Sequence, residues 1–251
     1  MIRLKNYILF FVFGLLVASC SKDDIQNRFM IIAHQGYWKA AAGASNSIRG
    51  LKESMSLGIE GVELDVRVTA DDSLILCHDD RHGDYVIANS TFDQIRSVRL
   101  SDGSLIPTFK EYVQEASNYQ RCLMFIDVKD QGALKQINNI LVDNNAVAQT
   151  VLLLPYAKVA DVQEINPQLK VLVMDEAPDL DKIKVHGVYG ISLSITALKS
   201  KTELLQKAHD KGLKVNTWVV KSESEIIWCS NHDVDYVTTD SPLECKHYLY
   251  Q

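Results

Sequence analysis

The chain has 251 residues, 47% apolar and 23% charged, a composition that excludes disorder and collagen-like repetition and allows one large domain or two small ones. The 26 Lys and Arg are outnumbered by 32 Asp and Glu, for a formal net charge of -6, and like charges never run five together. No basic stripe is available to follow a phosphate backbone, so nucleic acid is excluded as a partner.

In chain order, Arg3 and Lys5 precede an uncharged apolar run from Tyr7 to Ala18. That run is shorter than the ~20 residues a spanning helix needs, and suits the core of a secretory signal. It ends Val17-Ala18-Ser19-Cys20, which resembles a bacterial lipobox, and Ser21-Lys22-Asp23-Asp24 resembles the acidic export tag of Bacteroidota surface lipoproteins. The expectation is a signal peptide over 1–19, a lipidated Cys20, and a tether over 20–28. The protein would then be an outer membrane lipoprotein, surface-exposed or facing the periplasm, held to the membrane by its lipid alone. The other cysteines, Cys77, Cys122, Cys229 and Cys245, form no C-x-x-C pair and no Cys/His ligand spacing, so zinc is not expected and burial as small apolar groups is.

From residue 29 onward short β-branched runs alternate with amphipathic segments. The pattern predicts strands over 29–34, 61–67, 73–78, 123–129, 150–154, 169–174, 187–194, 214–220 and 235–239, and helices over 48–57, 108–116, 133–143, 157–164, 202–211 and 222–229. Gly58 and Gly212 stand where left-handed helix caps belong. No Pro/Gly/Ser-rich linker divides 29–251, so one α/β domain is expected. It reads as a (β/α)8 TIM barrel with a small insertion, 79–106, at the C-terminal face, or alternatively as a doubly wound open sheet.

Strand alternation exposes the chemistry. In Gly61-Val62-Glu63-Leu64-Asp65-Val66-Arg67 the apolar residues take one face, toward the helices, and Glu63, Asp65 and Arg67 take the other. Carboxylates at i and i+2 lie about 7 Å apart inside a barrel, and burying like charges there calls for a cation between them. Leu123-Met124-Phe125-Ile126-Asp127-Val128-Lys129 repeats the pattern and adds Asp127 and Lys129. All-oxygen ligation by Glu63, Asp65 and Asp127 favours one Ca²⁺ or Mg²⁺; simple pairing with Arg67 and Lys129 is the competing account. His34 and His78 end strands at the catalytic rim, and their ordinary pKa suits proton transfer at neutral pH. His82, His186, His209, His232 and His247 lack such company and read as surface or capping groups.

These residues resemble the glycerophosphodiester phosphodiesterases. That family's ordered motifs, His-Arg-Gly, Pro-Glu-Asn-Thr, Glu-x-Asp-Val with a following Thr and Asp, and His-Asp, are matched by His34-Gln35-Gly36, Ala44-Ser45-Asn46-Ser47, Glu63-Leu64-Asp65-Val66 with Thr69 and Asp71, and His78-Asp79. Ile106-Pro107-Thr108-Phe109-Lys110-Glu111, Asp127-Val128-Lys129, Val215-Asn216-Thr217-Trp218-Val219 and Asp235 to Pro242 continue the likeness. The resemblance implies a TIM barrel holding one divalent cation through Glu63, Asp65 and Asp127, with His34 and His78 as acid and base. It further implies that Lys129 faces the phosphate, that Asn46 holds the first loop, and that Trp218 walls the substrate. The substrate would be a small-molecule glycerophosphodiester, cleaved to glycerol 3-phosphate and an alcohol. A catalytically weak binding lipoprotein, or a lyase that releases the cyclic phosphate, is the alternative.

Three positions depart from the family. Gln35 replaces an arginine and forfeits a charged, bidentate phosphate contact; Arg67, aimed at the same mouth, is the expected substitute. Ser45 replaces a glutamate. Asp127 replaces a glutamate one methylene longer, so weaker cation binding is expected.

Overall fold

A computed structural model describes residues 29–39 and 43–249; Cys20, the apolar leader and the tether fall outside the described residues. The strands are β1 Met30–Ala33, β2 Gly61–Val68, β3 Leu74–Leu76, β4 Arg81–His82, β5 Tyr85–Val86, β6 Leu123–Val128, β7 Thr150–Leu154, β8 Lys170–Met174, β9 Gly190–Ser194, β10 Lys214–Val220 and β11 Tyr236–Thr239. The helices are α1 Ile48–Ser56, α2 Phe92–Arg96, α3 Phe109–Ala116, α4 Leu134–Asp143, α5 Val159–Ile165, α6 Leu180–Val185, α7 Ile195–Ser200, α8 Glu203–Asp210, α9 Glu223–Ser230 and α10 Pro242–Leu249.

Eight strands pair in parallel in the order β1-β11-β10-β9-β8-β7-β6-β2, and β1 also pairs with β2, which closes the sheet. Closure removes every edge, and the fold is a (β/α)8 TIM barrel. The alternation read from the sequence holds around the ring. Val62, Leu64, Val66, Met124, Ile126 and Val128 pack outward against the helices in the larger core. Ile32, Phe125, Val151, Leu153, Leu172 and Tyr236 fill the barrel itself. Phe125 meets Tyr236 edge-on at 5.1 Å, and the Tyr236 and Tyr189 hydroxyls lie 2.5 Å apart.

One predicted barrel stave is not one. The run over 73–78 forms β3, antiparallel to β2 through Val66–Leu76, Arg67–Ile75 and Val68–Leu74. Only five residues separate β2 from β3, too few for a parallel crossover. β2 is therefore covered on one edge by β6 and on the other by β1 at its start and β3 at its end. Between those two partners the Asp65 N–H donates to Asn46 Oδ1 at 3.0 Å, and the Asp65 carbonyl accepts from Cys77 N at 3.0 Å. A side chain thus completes the strand edge where the site begins.

Helix signals behave as their chemistry requires. Gly58 and Gly212 adopt φ of +66° and +70°, past the ends of α1 and α8. Thr108 caps α3 and Ser222 caps α9, each in a reciprocal box with the glutamate three residues on. The insertion carries the β4–β5 hairpin, α2 and a small core of Ile75, Ile87, Ile95 and Ile106. Thr69 donates to Asp71 Oδ1 at 2.6 Å, and the same oxygen accepts from Phe92 N, so this motif pair fastens the insertion. No helix among the described residues is long and apolar enough to cross a membrane.

Candidate active site

A cavity of about 260 Å³ opens at the C-terminal ends of the barrel strands. His34, Glu63, Asp65, His78, Asp127 and Lys129 line it, together with Asn216, Thr238 and an apolar group that includes Leu153, Met174 and Trp218. No residue of the insertion 79–106 lines it. A larger open cleft, about 520 Å³, lies at the opposite end of the barrel beside Met30, Gly212 and Tyr236 and holds none of the six.

Glu63, Asp65 and Asp127 each present an oxygen within 4.8 Å of the others, and the first two are buried. Burial pushes the Glu63 carboxyl well above its ordinary range, and the charges of Asp65 and Asp127 push it further. Asp127 is raised as well, by burial, against the opposing pull of Lys129. The Lys129 ammonium lies 2.6 Å from Asp127 Oδ2 and 3.0 Å from Asp65 Oδ1, and these carboxylates raise it despite the opposing cost of burial. One ammonium against three carboxylates leaves excess negative charge around oxygen donors alone. That donor set fits a hard divalent cation. Pairing with lysine accounts for part of the cluster, whereas Arg67 pairs with none of it.

Arg67 turns to the backbone of β3's exit. Its Nε and Nη2 donate to the His78 carbonyl at 3.1 and 2.9 Å, and it does not line the cavity. It holds the backbone of a catalytic candidate. Gln35 and Asn46 turn toward the same carboxylates. Gln35 adopts φ +56°, which aims its N–H at Glu63 Oε2 (3.0 Å) and its amide at Asp65 Oδ2 (2.9 Å). Asn46, at φ +57°, donates to the same Asp65 oxygen at 2.8 Å. Both residues hold a carboxylate. Both amides donate to Asp65 Oδ2, so this buried oxygen is not left without partners.

His34 Nε2 lies 3.9 Å from Glu63 Oε2, while Nδ1 meets Asp240 Oδ1 at 2.7 Å. Burial alone would raise the Asp240 carboxyl, but the His34 hydrogen bond and the charges of His34, Lys39 and Lys221 hold it below its ordinary range. His78 Nδ1 meets Asp79 Oδ1 at 2.9 Å in a more open setting. Trp218 lines the cavity, and its buried Nε1 has no hydrogen-bond partner. Two of the remaining histidines among the described residues serve the scaffold. His209 pairs with Asp235 at 2.9 Å and His232 stacks on Trp228. Cys122, Cys229 and Cys245 are buried free thiols pushed by burial up to about 12, and half-buried Cys77 to about 11.

The profile of the glycerophosphoryl diester phosphodiesterase family matches residues 34–244, more than four-fifths of the chain. The chain belongs to that family. Membership makes it a phosphoric diester hydrolase. A glycerophosphodiester phosphodiesterase of Caldanaerobacter subterraneus subsp. tengcongensis is 22% identical over 240 residues, 85% of this chain and 94% of its own. In fold, the chain is similar to a glycerophosphodiester phosphodiesterase of Parabacteroides distasonis (TM-score 0.84, 23% identity, 89% of this chain and 98% of that one). It is also similar to an Oleispira antarctica phosphodiesterase solved with the product sn-glycerol-3-phosphate (TM-score 0.77, 19% identity, 88% and 97%).

Proposed function

We propose that the protein hydrolyses glycerophosphodiesters to glycerol 3-phosphate and an alcohol, using one Ca²⁺ or Mg²⁺ and two histidines. The observation that carries this reading is the convergence of three carboxylate oxygens, two histidines and Lys129 on one cavity. Glu63, Asp65 and Asp127 would hold the cation, which would supply positive charge to polarise the diester. The neighbouring glycerol hydroxyl attacks phosphorus, its proton passes to one histidine, and the other histidine protonates the departing alcohol. Water then opens the cyclic phosphate with the two roles exchanged, so each histidine returns to its starting state. Lys129 stabilises the negative charge that grows on the phosphoryl oxygens, and Trp218 packs against the glycerol carbons or the leaving group. The same reading makes Cys20 the lipid-bearing end of an outer membrane lipoprotein, supported by the pattern Val17 to Cys20.

The test is glycerol 3-phosphate release from a panel of glycerophosphodiesters by the chain beginning at Ser21. EDTA and a His34→Ala, His78→Ala double variant are each expected to lower turnover by 10²-fold or more, the scale of a lost acid or base being about 10²–10⁴. Turnover that survives EDTA sinks the metal part, and turnover that survives the double variant sinks the histidine part. Product that stops at the cyclic phosphate supports the lyase alternative.

A further inference from the structure

We propose that Asp240 is a positioning residue for His34: it holds the imidazole proton on Nδ1 and so leaves Nε2, the nitrogen nearer Glu63, to exchange protons with substrate. The proposal rests on the phosphodiesterase reading and adds a residue to it.

Two bonds tie His34 to the end of β11. Its backbone N–H donates to the Thr239 carbonyl at 2.9 Å, and its Nδ1 meets Asp240 Oδ1 at 2.7 Å. The anchor itself is fixed, because Thr239 is fully buried, its hydroxyl donates to the Val220 carbonyl at 2.7 Å, and Ser241 N donates back to that hydroxyl at 2.9 Å. Asp240 Oδ2 faces Lys39 Nζ at 3.6 Å, so both carboxylate oxygens have cationic or donor partners. An ionised carboxylate only accepts hydrogen bonds, which makes Nδ1 the donor and fixes the tautomer. A held imidazole in one tautomer is what proton transfer at a set distance requires.

Other carboxylate–histidine pairs do not share these features. His209 and Asp235 lie beside the cleft at the other end of the barrel, where Lys214 and Val215 N also bind Asp235. His78 does line the catalytic cavity, but the side chains of His78 and Asp79 are 55% and 77% exposed, against 22% and 11% for His34 and Asp240. Water competes for the first bond far more than for the second.

Two measurements on the full chain in detergent, with Ca²⁺ or Mg²⁺ present, test the proposal. In long-range ¹H–¹⁵N spectra of protein labelled at histidine, the neutral His34 ring is expected to carry its proton on Nδ1. In Asp240→Asn, whose carboxamide can itself donate to Nδ1, the proton moves to Nε2, and kcat falls by about 10²–10⁴-fold with KM within about threefold. A parent His34 protonated on Nε2 overturns the proposal, as does an Asp240→Asn enzyme with kcat within threefold of the parent. If Asp240→Asn does not fold, the parent tautomer decides alone. That measurement needs no turnover, so failure of the phosphodiesterase reading and failure of the Asp240 assignment stay distinguishable.

Discussion

Glu63 is the residue on which the fold and the chemistry conflict most. Burial and the two neighbouring carboxylates make its folded state hold a proton to higher pH than the unfolded chain, whose glutamates titrate near 4.3. Without a cation the folded state therefore binds more protons above that point, and stability falls as pH rises through the raised folded value. Glu63→Gln removes the charge and keeps an oxygen for the Gln35 N–H. In EDTA at pH 8 the variant is expected to be more stable than the parent, with the difference shrinking toward pH 5. The difference is read as a Tm of the variant above that of the parent. Ca²⁺ or Mg²⁺ is expected to raise the parent's Tm and to act more weakly on the variant. Equal melting temperatures at pH 8 would show that Glu63 is not strained by its neighbours. The sequence exposed this residue through alternation alone, because Val62, Leu64 and Val66 leave the acids no other face. It could not assign Asp240 a task, since that residue meets His34 across 206 positions, and no local pattern spans such a gap. The bonds of Gln35 and Asn46 were hidden for a related reason: a polar residue near a site can grip the ligand or grip a side chain that does, and left-handed backbone at both positions aims their amides at Asp65.

At the scale of elements, legibility follows length and local chemistry. Long strands such as β2 and β6 and capped helices such as α3 and α9 declared themselves through period and cap. Helices α6 and α7, six residues each, are too short for a 3.6-residue period to register, and β3 showed its strand character without its direction. The short link from Val68 to Leu74 did contain that direction, since such a link permits only an antiparallel return. The cap of α3 shows how an element far from the chemistry supports it. Thr108 accepts from Glu111 N at 3.1 Å, Glu111 accepts from Thr108 N at 2.8 Å, and Arg96 of α2 donates to Glu111 at 3.0 Å. The box thus fixes the start of a barrel helix and ties the insertion to it. Thr108→Ala is expected to cost about 1 kcal/mol, or about 2–4 °C in Tm, with kcat/KM unchanged because Thr108 does not line the cavity. Thermal unfolding beside steady-state kinetics checks both halves, and a loss of activity at unchanged Tm would contradict the assignment.

For the whole molecule, the barrel sets a direction between its ends. The cavity opens where the parallel strands finish, whereas β1 enters at Met30 beside the cleft at the opposite end. If Cys20 carries lipid, the nine residues from 20 to 28 span at most about 30 Å. A link that short keeps the entry end of the barrel toward the membrane and turns the catalytic mouth toward solvent. Without Arg3 and Lys5 of the leader the net charge goes from -6 to -8, which acts in the same sense, since an acidic barrel is not drawn flat onto an anionic surface. The expected substrate is accordingly a diester free in water, a deacylated head group, and not a lipid still seated in the bilayer. The prediction has two measurable parts. Mass spectrometry of the N-terminal peptide should find a diacylglyceryl Cys20. Protein anchored in vesicles should then cleave soluble glycerophosphodiesters at about the rate of the chain beginning at Ser21, and vesicle-embedded lysophospholipid at a rate lower by an order of magnitude or more. Faster cleavage of the embedded lipid by the anchored form would mean that the mouth reaches the membrane despite the position of the tether.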